Sequence, residues 1–126
     1  MNVLKFISAL MNELNIPYEF GTWTQSQHGT TLSDPYFVGE YNEVESVELE
    51  ENGYQESTFI LTGTGTSWIE LERAKETIKT NLPKTSILTD HAGIGVFYGH
   101  SLVVPTGDAE LKRIQINLQI KEWSVI

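Results

Sequence analysis

The sequence predicts an α+β domain: an antiparallel or mixed β-sheet with two α-helices packed on one face, plus an acidic β-arm or loop. Three observations carry that expectation. Ile114, Ile116, Leu118 and Ile120 alternate with Gln115, Asn117, Gln119 and Lys121, a period of two that marks a strand with one face on a core. Two separate stretches, at the N-terminus and at 67–82, repeat apolar residues at three- and four-residue steps, the helical period. The predicted order is helix, strand, strand, acidic arm, strand, helix, strand, strand. It lacks the strand–helix–strand alternation that builds a doubly wound parallel sheet.

Each element has its own local reason. Leu4, Ile7, Leu10, Met11 and Leu14 form one helical stripe, Asn2 is suited to cap it, and Asn15 with Pro17 ends it. Tyr18–Trp23 alternates aromatic with polar or small residues and reads as a strand. Residues 24–34 hold almost nothing apolar and form a surface loop, after which Tyr36–Tyr41 makes a second, aromatic strand. Asn52-Gly53 is a favoured hairpin turn, which makes an arm of 42–55 and returns the chain as a strand at Ser57–Thr62. Gly63–Thr66 breaks that strand. Ser67 and Glu70 have the spacing of a capping box, and Trp68, Leu71, Ile78 and Leu82 share a stripe, so Ser67–Leu82 is a helix. Ile94, Val96, Tyr98, His100, Leu102 and Val104 then alternate, Pro105–Asp108 turns the chain, and the 114–121 strand returns. Trp123 is out of phase with Ile120: either a bulge intervenes or the indole lies on the other face.

Length and charge narrow the function. A chain of 126 residues fits one domain, 1–126, with 42–55 as a protruding acidic arm. It carries 17 acidic side chains against 8 basic ones, a formal charge of −9. Phosphate binding needs clustered Lys and Arg, so specific nucleic-acid binding is not expected, and neither is an anionic membrane surface. The chain has no cysteine, which excludes disulfides, thiolate nucleophiles and cysteine-ligated metals. No apolar run approaches a membrane span, and the opening segment, with Lys5 and Glu13, reads as an amphipathic helix and not a signal peptide.

No constellation for catalysis emerges, and no enzyme is expected. His28, His91 and His100 lack the spacing that aims two imidazoles at one metal, and Asp90-His91 reads as a pair of solvated loop residues. Gly63–Ser67 precedes a helix N-terminus but has neither the spacing nor the lysine of a phosphate-binding loop. No cofactor is expected. What stands out is seven glutamates at 40, 43, 45, 48, 50, 51 and 56 with no basic residue among them, which leaves the rest of the chain nearly balanced. The candidate functional residues are therefore Glu40, Glu43, Glu45, Glu48, Glu50 and Glu51, together with Gln115, Asn117 and Gln119 on the polar face of the last strand. Amides on a strand suit a subunit contact, since they bury area without an unpaired charge.

The combined pattern resembles the small tail terminator or tail-completion (head–tail joining) proteins of long-tailed bacteriophages. The residues that carry the likeness are the N-terminal helix, Ile16–Trp23, Pro35–Val38, the capped helix Ser67–Leu82, and Val104–Ile114 running into Gln115–Trp123. The resemblance implies a structural protein of the virion tail, assembled in the host cytoplasm. It implies a homo-oligomeric ring, commonly a hexamer, with the tail tube protein and the head-completion protein as partners. It carries no catalytic residues over. Part of 40–56 would then line the lumen or reach a neighbouring subunit, where its charge repels passing DNA. The alternative from the residues alone is a small cytoplasmic ligand- or protein-binding module. Such a module would use Tyr18, Phe20, Trp23, Tyr36, Phe37 and Tyr41 as a pocket, or act as an acidic nucleic-acid mimic.

Overall fold

A computed structural model describes residues 3–21, 35–43, 47 and 48, 52–89 and 92–125. Helix α1 spans Val3–Glu13 and α2 spans Trp68–Thr80. The strands are β1 (Tyr18–Phe20), β2 (Tyr36–Glu43), β3 (Val47–Glu48), β4 (Asn52–Gly65), β5 (Lys84–Thr89), β6 (Ala92–Val103) and β7 (Lys112–Val125). They form one sheet in the order β1-β2-β4-β7-β6-β5, with β3 also paired to β4. The sheet is mixed, because β1 runs parallel to β2 while the other pairs are antiparallel.

The two helices end where their sequences direct. Asn15 adopts φ 58°, its N–H bonds the Asn12 carbonyl at 3.1 Å, and the Ile16 N–H bonds Met11 at 3.0 Å. That is the Schellman arrangement, with asparagine in the left-handed position usually given to glycine. At the start of α2 the Ser67 hydroxyl accepts the Glu70 N–H at 3.4 Å. The helix closes at Asn81, two residues before Pro83, so it is shorter at both ends than the periodicity predicts.

One core joins the helices to the sheet. Ile7 and Met11 of α1 and Leu71 and Ile78 of α2 cluster with Phe59, Leu61, Ile94, Val96, Ile116, Leu118 and Ile120. Phe59 stands opposite Leu118 and Leu61 opposite Ile116 on neighbouring strands, so the alternation of β7 is matched by that of β4. Truncating one of these fully buried side chains to alanine costs about 2–5 kcal/mol. On α1, Val3 and Phe6 are buried while Leu4 is 38% exposed, so the packed stripe is rotated from the expected one.

Several local readings need correction. Asn52 and Gly53 are strand residues, paired with Val125 and Ser124, and Gly53 also stands opposite Glu48 of β3. Long pairing with β7 overrides the local turn preference. Gly63, Thr64 and Gly65 do not break β4 but remain in register with Ile114, Arg113 and Lys112. Gly63 is needed there because the Phe37 ring lies across it, 2.4 Å from where a Cβ would stand. Strand β5 has no counterpart in the predicted order. Lys84–Thr89 has no clean alternation, and as the last strand of the row it is paired, among the described residues, on one flank alone.

The phase of β6 also changes midway. A register shift between Tyr98 and His100 leaves Gly99 as an extra residue. Tyr98 pairs with Leu118 on the core side, but His100 pairs with Asn117 and Leu102 with Gln115. His100 and Leu102 therefore lie on the face opposite the core, not in phase with Tyr98. Trp123 needs no bulge: it stands opposite Gly93, one residue out of step with Ile120, on that same outer face.

Candidate functional site

The outer face of the sheet gathers the predicted amides. Gln115, Asn117 and Gln119 point away from the core because Ile114, Ile116, Leu118 and Ile120 point into it. Across β4 they stand opposite Thr62, Ile60 and Thr58, and across β6 opposite Leu102, His100 and Phe97. The Asn117 amide nitrogen lies 3.3 Å from His100 Nε2. Around Asn117 this face holds neutral polar and apolar groups, Thr58, Ile60, His100 and Leu102 among them. Charge begins at its margins, with Glu40 opposite Ile60 on β2, Arg113 donating from Nε to the Thr64 hydroxyl at 3.2 Å, and Lys121 over the Phe97 ring at 5.5 Å.

The acidic residues do not all behave alike. Glu40 is an exposed residue of β2, Glu43 ends that strand and Glu48 lies in β3. Glu45, Glu50 and Glu51 lie outside the described residues. Glu56 has partners on β7: the Gln119 amide donates to Oε1 at 3.3 Å, and Lys121 Nζ stands 3.9 Å from the same oxygen. The stretch lacks basic residues in sequence, but the fold supplies one.

A second surface escaped the sequence reading. Trp68, assigned to the buried stripe of α2, is 40% exposed, beside Ile69 at 69%. As the first residue of its helix it sits at the rim of the core, not above it. Val103 is 61% exposed, and Trp68, Val103, Val104, Pro105 and Leu111 line one shallow groove at the turn between β6 and β7. The turn is ordered from within. The Thr106 hydroxyl donates to the Leu111 carbonyl at 2.8 Å, and the Asp108 carboxylate accepts the Glu110 N–H at 2.9 Å. Exposed valine and tryptophan on such a turn were the available signal, hidden by their fit to strand and helix periods.

The aromatic cluster is mainly structural. Phe37 is fully buried, Phe20 and Tyr41 pack against Phe59 at ring distances of 6.1 and 6.3 Å, and the Tyr41 and Ser57 hydroxyls are 3.0 Å apart. Trp23 lies outside the described residues. The Tyr18 hydroxyl is buried without a hydrogen-bond partner, and burial, with the Glu19 charge second, holds its pKa well above the ordinary phenol range. Among the described residues no group of three or more His, Asp or Glu could hold a metal ion, and no helix is long and apolar enough to cross a membrane.

The fold defines the class: a small α+β domain whose mixed sheet carries an amide-rich outer face. A chain of the "Virion of native gene transfer agent (GTA) particle" shares that fold with a TM-score of 0.67 at 9% sequence identity. The match covers 91% of this chain and 84% of that one. No protein-family model matches the sequence. No curated protein matches it either.

Proposed function

We propose that the protein is a structural subunit of a phage or prophage particle. In this reading it is a tail terminator or tail-completion subunit that forms a ring on the end of the tail tube and joins tail to head. The observation that carries the reading is the fold shared with a virion chain over 91% of this sequence. The tail-end position comes from the resemblance of the sequence pattern.

The surfaces support self-association in place of chemistry. Both helices are assigned to the core side of the sheet, since Ile7, Met11, Leu71 and Ile78 meet the inward residues of β4 and β7. That leaves the strip of Thr58, Ile60, Asn117, Gln119, His100 and Leu102 for a neighbouring protein. Interface centres are depleted in charge, and this strip fits that pattern. The net charge of −9 suits a ring through which DNA slides, because phosphates are repelled from an acidic wall. Glu40 is the described residue best placed to contribute to that wall. No catalytic role is assigned to any side chain.

The test is direct. The full chain, mixed with polymerised tail tube protein, is expected to stop tube growth and to appear by electron microscopy as a density on one end. Tubes that lengthen unchanged, without bound chain, would refute the assignment.

A further inference from the structure

We propose that the sheet continues from one copy of the chain into the next. Strand β5 of one copy lies parallel to the Glu40–Glu43 stretch of β2 in its neighbour. The inference rests on the ring reading and names the junction that builds the ring.

The two ends of the sheet are complementary. At one end, β5 is paired only with β6, and among the described residues no strand flanks its other side. From Lys84 to Ile87 it runs in register against Val96 to Gly93, and irregularity enters only between Ile87 and Thr89. That leaves a straight stretch of four residues, Lys-Thr-Ser-Ile, with no proline and no acid. An edge of this kind presents free backbone donors and acceptors to another strand. At the other end, β1 covers only Phe37–Gly39 of β2. Gly21, at φ 84° and bonded through its N–H to the Gly39 carbonyl at 2.9 Å, is the last described residue of that segment. Glu40–Glu43 is paired with β4 on one side and has no described strand on the other. A four-residue stretch thus faces a four-residue stretch, each about 13 Å long.

Direction and charge select the partner. Four antiparallel steps separate β2 from β5, so the two strands run the same way. A rotation that carries one sheet into the next preserves that sense and makes the junction parallel. It is the same relation β1 already has to β2. Unlike edges joined head to tail produce a ring when the rotation closes, whereas β5 against a second β5 would be antiparallel and stop at a dimer. The β2 end carries Glu40 and Glu43, whereas at the β5 end Lys84 is ion-paired with Glu13 and leaves no net charge. Two β2 ends repel each other; a β2 end and a β5 end do not.

The absence of cysteine makes the junction easy to trap. Glu40→Cys is combined in turn with Thr85→Cys and with Ile87→Cys, covering the two registers that keep the faces continuous. The full chain is oxidised with and without tail tubes. One of the double variants is expected to give a ladder of covalent dimers and larger rings on a non-reducing gel, with no ladder from any single variant. Dimers from Thr85→Cys or Ile87→Cys alone would show a two-fold β5 contact and overturn the proposal. Oligomers seen by light scattering or tube capping without a ladder would overturn the junction and leave the ring reading standing. A chain that stays monomeric, binds no tube and gives no ladder would overturn both.

Discussion

The Trp123 indole lies against Gly93 on the neighbouring strand, with Cζ2 at 2.2 Å from the point a Cβ of residue 93 would occupy. The glycine is a seat for the ring. Gly93→Ala is therefore expected to displace the indole and destabilise the fold by about 1–3 kcal/mol, the usual range for overpacking. Trp123→Ala alone loses the ring's contacts, but once it is made, Gly93→Ala has little left to strike. Chemical denaturation of the four members of this cycle should give a coupling of about 0.5–3 kcal/mol, and strict additivity would show that the ring does not depend on the glycine.

Gly99 sets the phase of β6. A Cβ at Gly99 would stand 2.7 Å from the Asn117 carbonyl oxygen, a backbone atom that cannot swing aside. Gly99→Ala is expected to destabilise by about 1–3 kcal/mol. Deleting Gly99 is expected to be milder, because it removes the extra residue and joins Tyr98 directly to His100, leaving Tyr98 opposite Leu118, His100 opposite Asn117 and Ser101–Val103 opposite Ile116–Ile114. Thermal unfolding of both variants checks the order. A deletion more costly than the alanine would mean that the strand needs the bulge itself and not only the register on either side of it.

These two glycines also show where the sequence is legible and where it is not. The alternation of Ile114–Lys121 and the stripe of Ile7, Leu10 and Met11 survive in the fold because periodicity is a direct record of a buried face. The amide face of Gln115, Asn117 and Gln119 was readable for the same reason. Gly99 was not: a bulge leaves no mark in an alternating pattern, so His100 and Leu102 kept an apparent phase with Tyr98 that the chain does not have. Asn52-Gly53 misled in the opposite sense, since a strong local turn signal yielded to fourteen consecutive pairings between β4 and β7. The exposure of Trp68 and Val103 depends on where helix and hairpin end relative to the core, which no residue pattern records.

Those two residues offer a separation of folding from assembly. Trp68 and Val103 are 40% and 61% exposed and line the same groove, so Trp68→Ser with Val103→Ser removes apolar surface without opening the core. Surface changes of this kind usually alter stability by about 0.5 kcal/mol or less, though the half-buried indole adds to that. The double variant is expected to melt close to the parent while capping fewer tail tubes. Capping at parental levels would remove the groove from the list of contact surfaces.

Tyr18 provides a prediction with a defined pH sign. Its hydroxyl is buried without a partner, and its pKa is raised from the ordinary 10.0, chiefly by burial and then by the Glu19 charge. In the unfolded chain the phenol ionises near its ordinary value; in the folded chain it keeps its proton to higher pH. Above pH 10 the folded state therefore holds more protons than the unfolded one, and stability must fall as pH rises. Each pH unit in that window removes up to about 1.4 kcal/mol for this group, and below it the contribution is complete. Tyr18→Phe deletes both the ionisation and the unpaired hydroxyl. It is expected to raise stability at neutral pH by about 1 kcal/mol, because an orphaned buried polar group is costly. It should also flatten the decline above pH 10, read from urea midpoints at a series of pH values. An unchanged alkaline slope would place the titrating group elsewhere, and a loss of stability at neutral pH would mean that the hydroxyl has a partner after all.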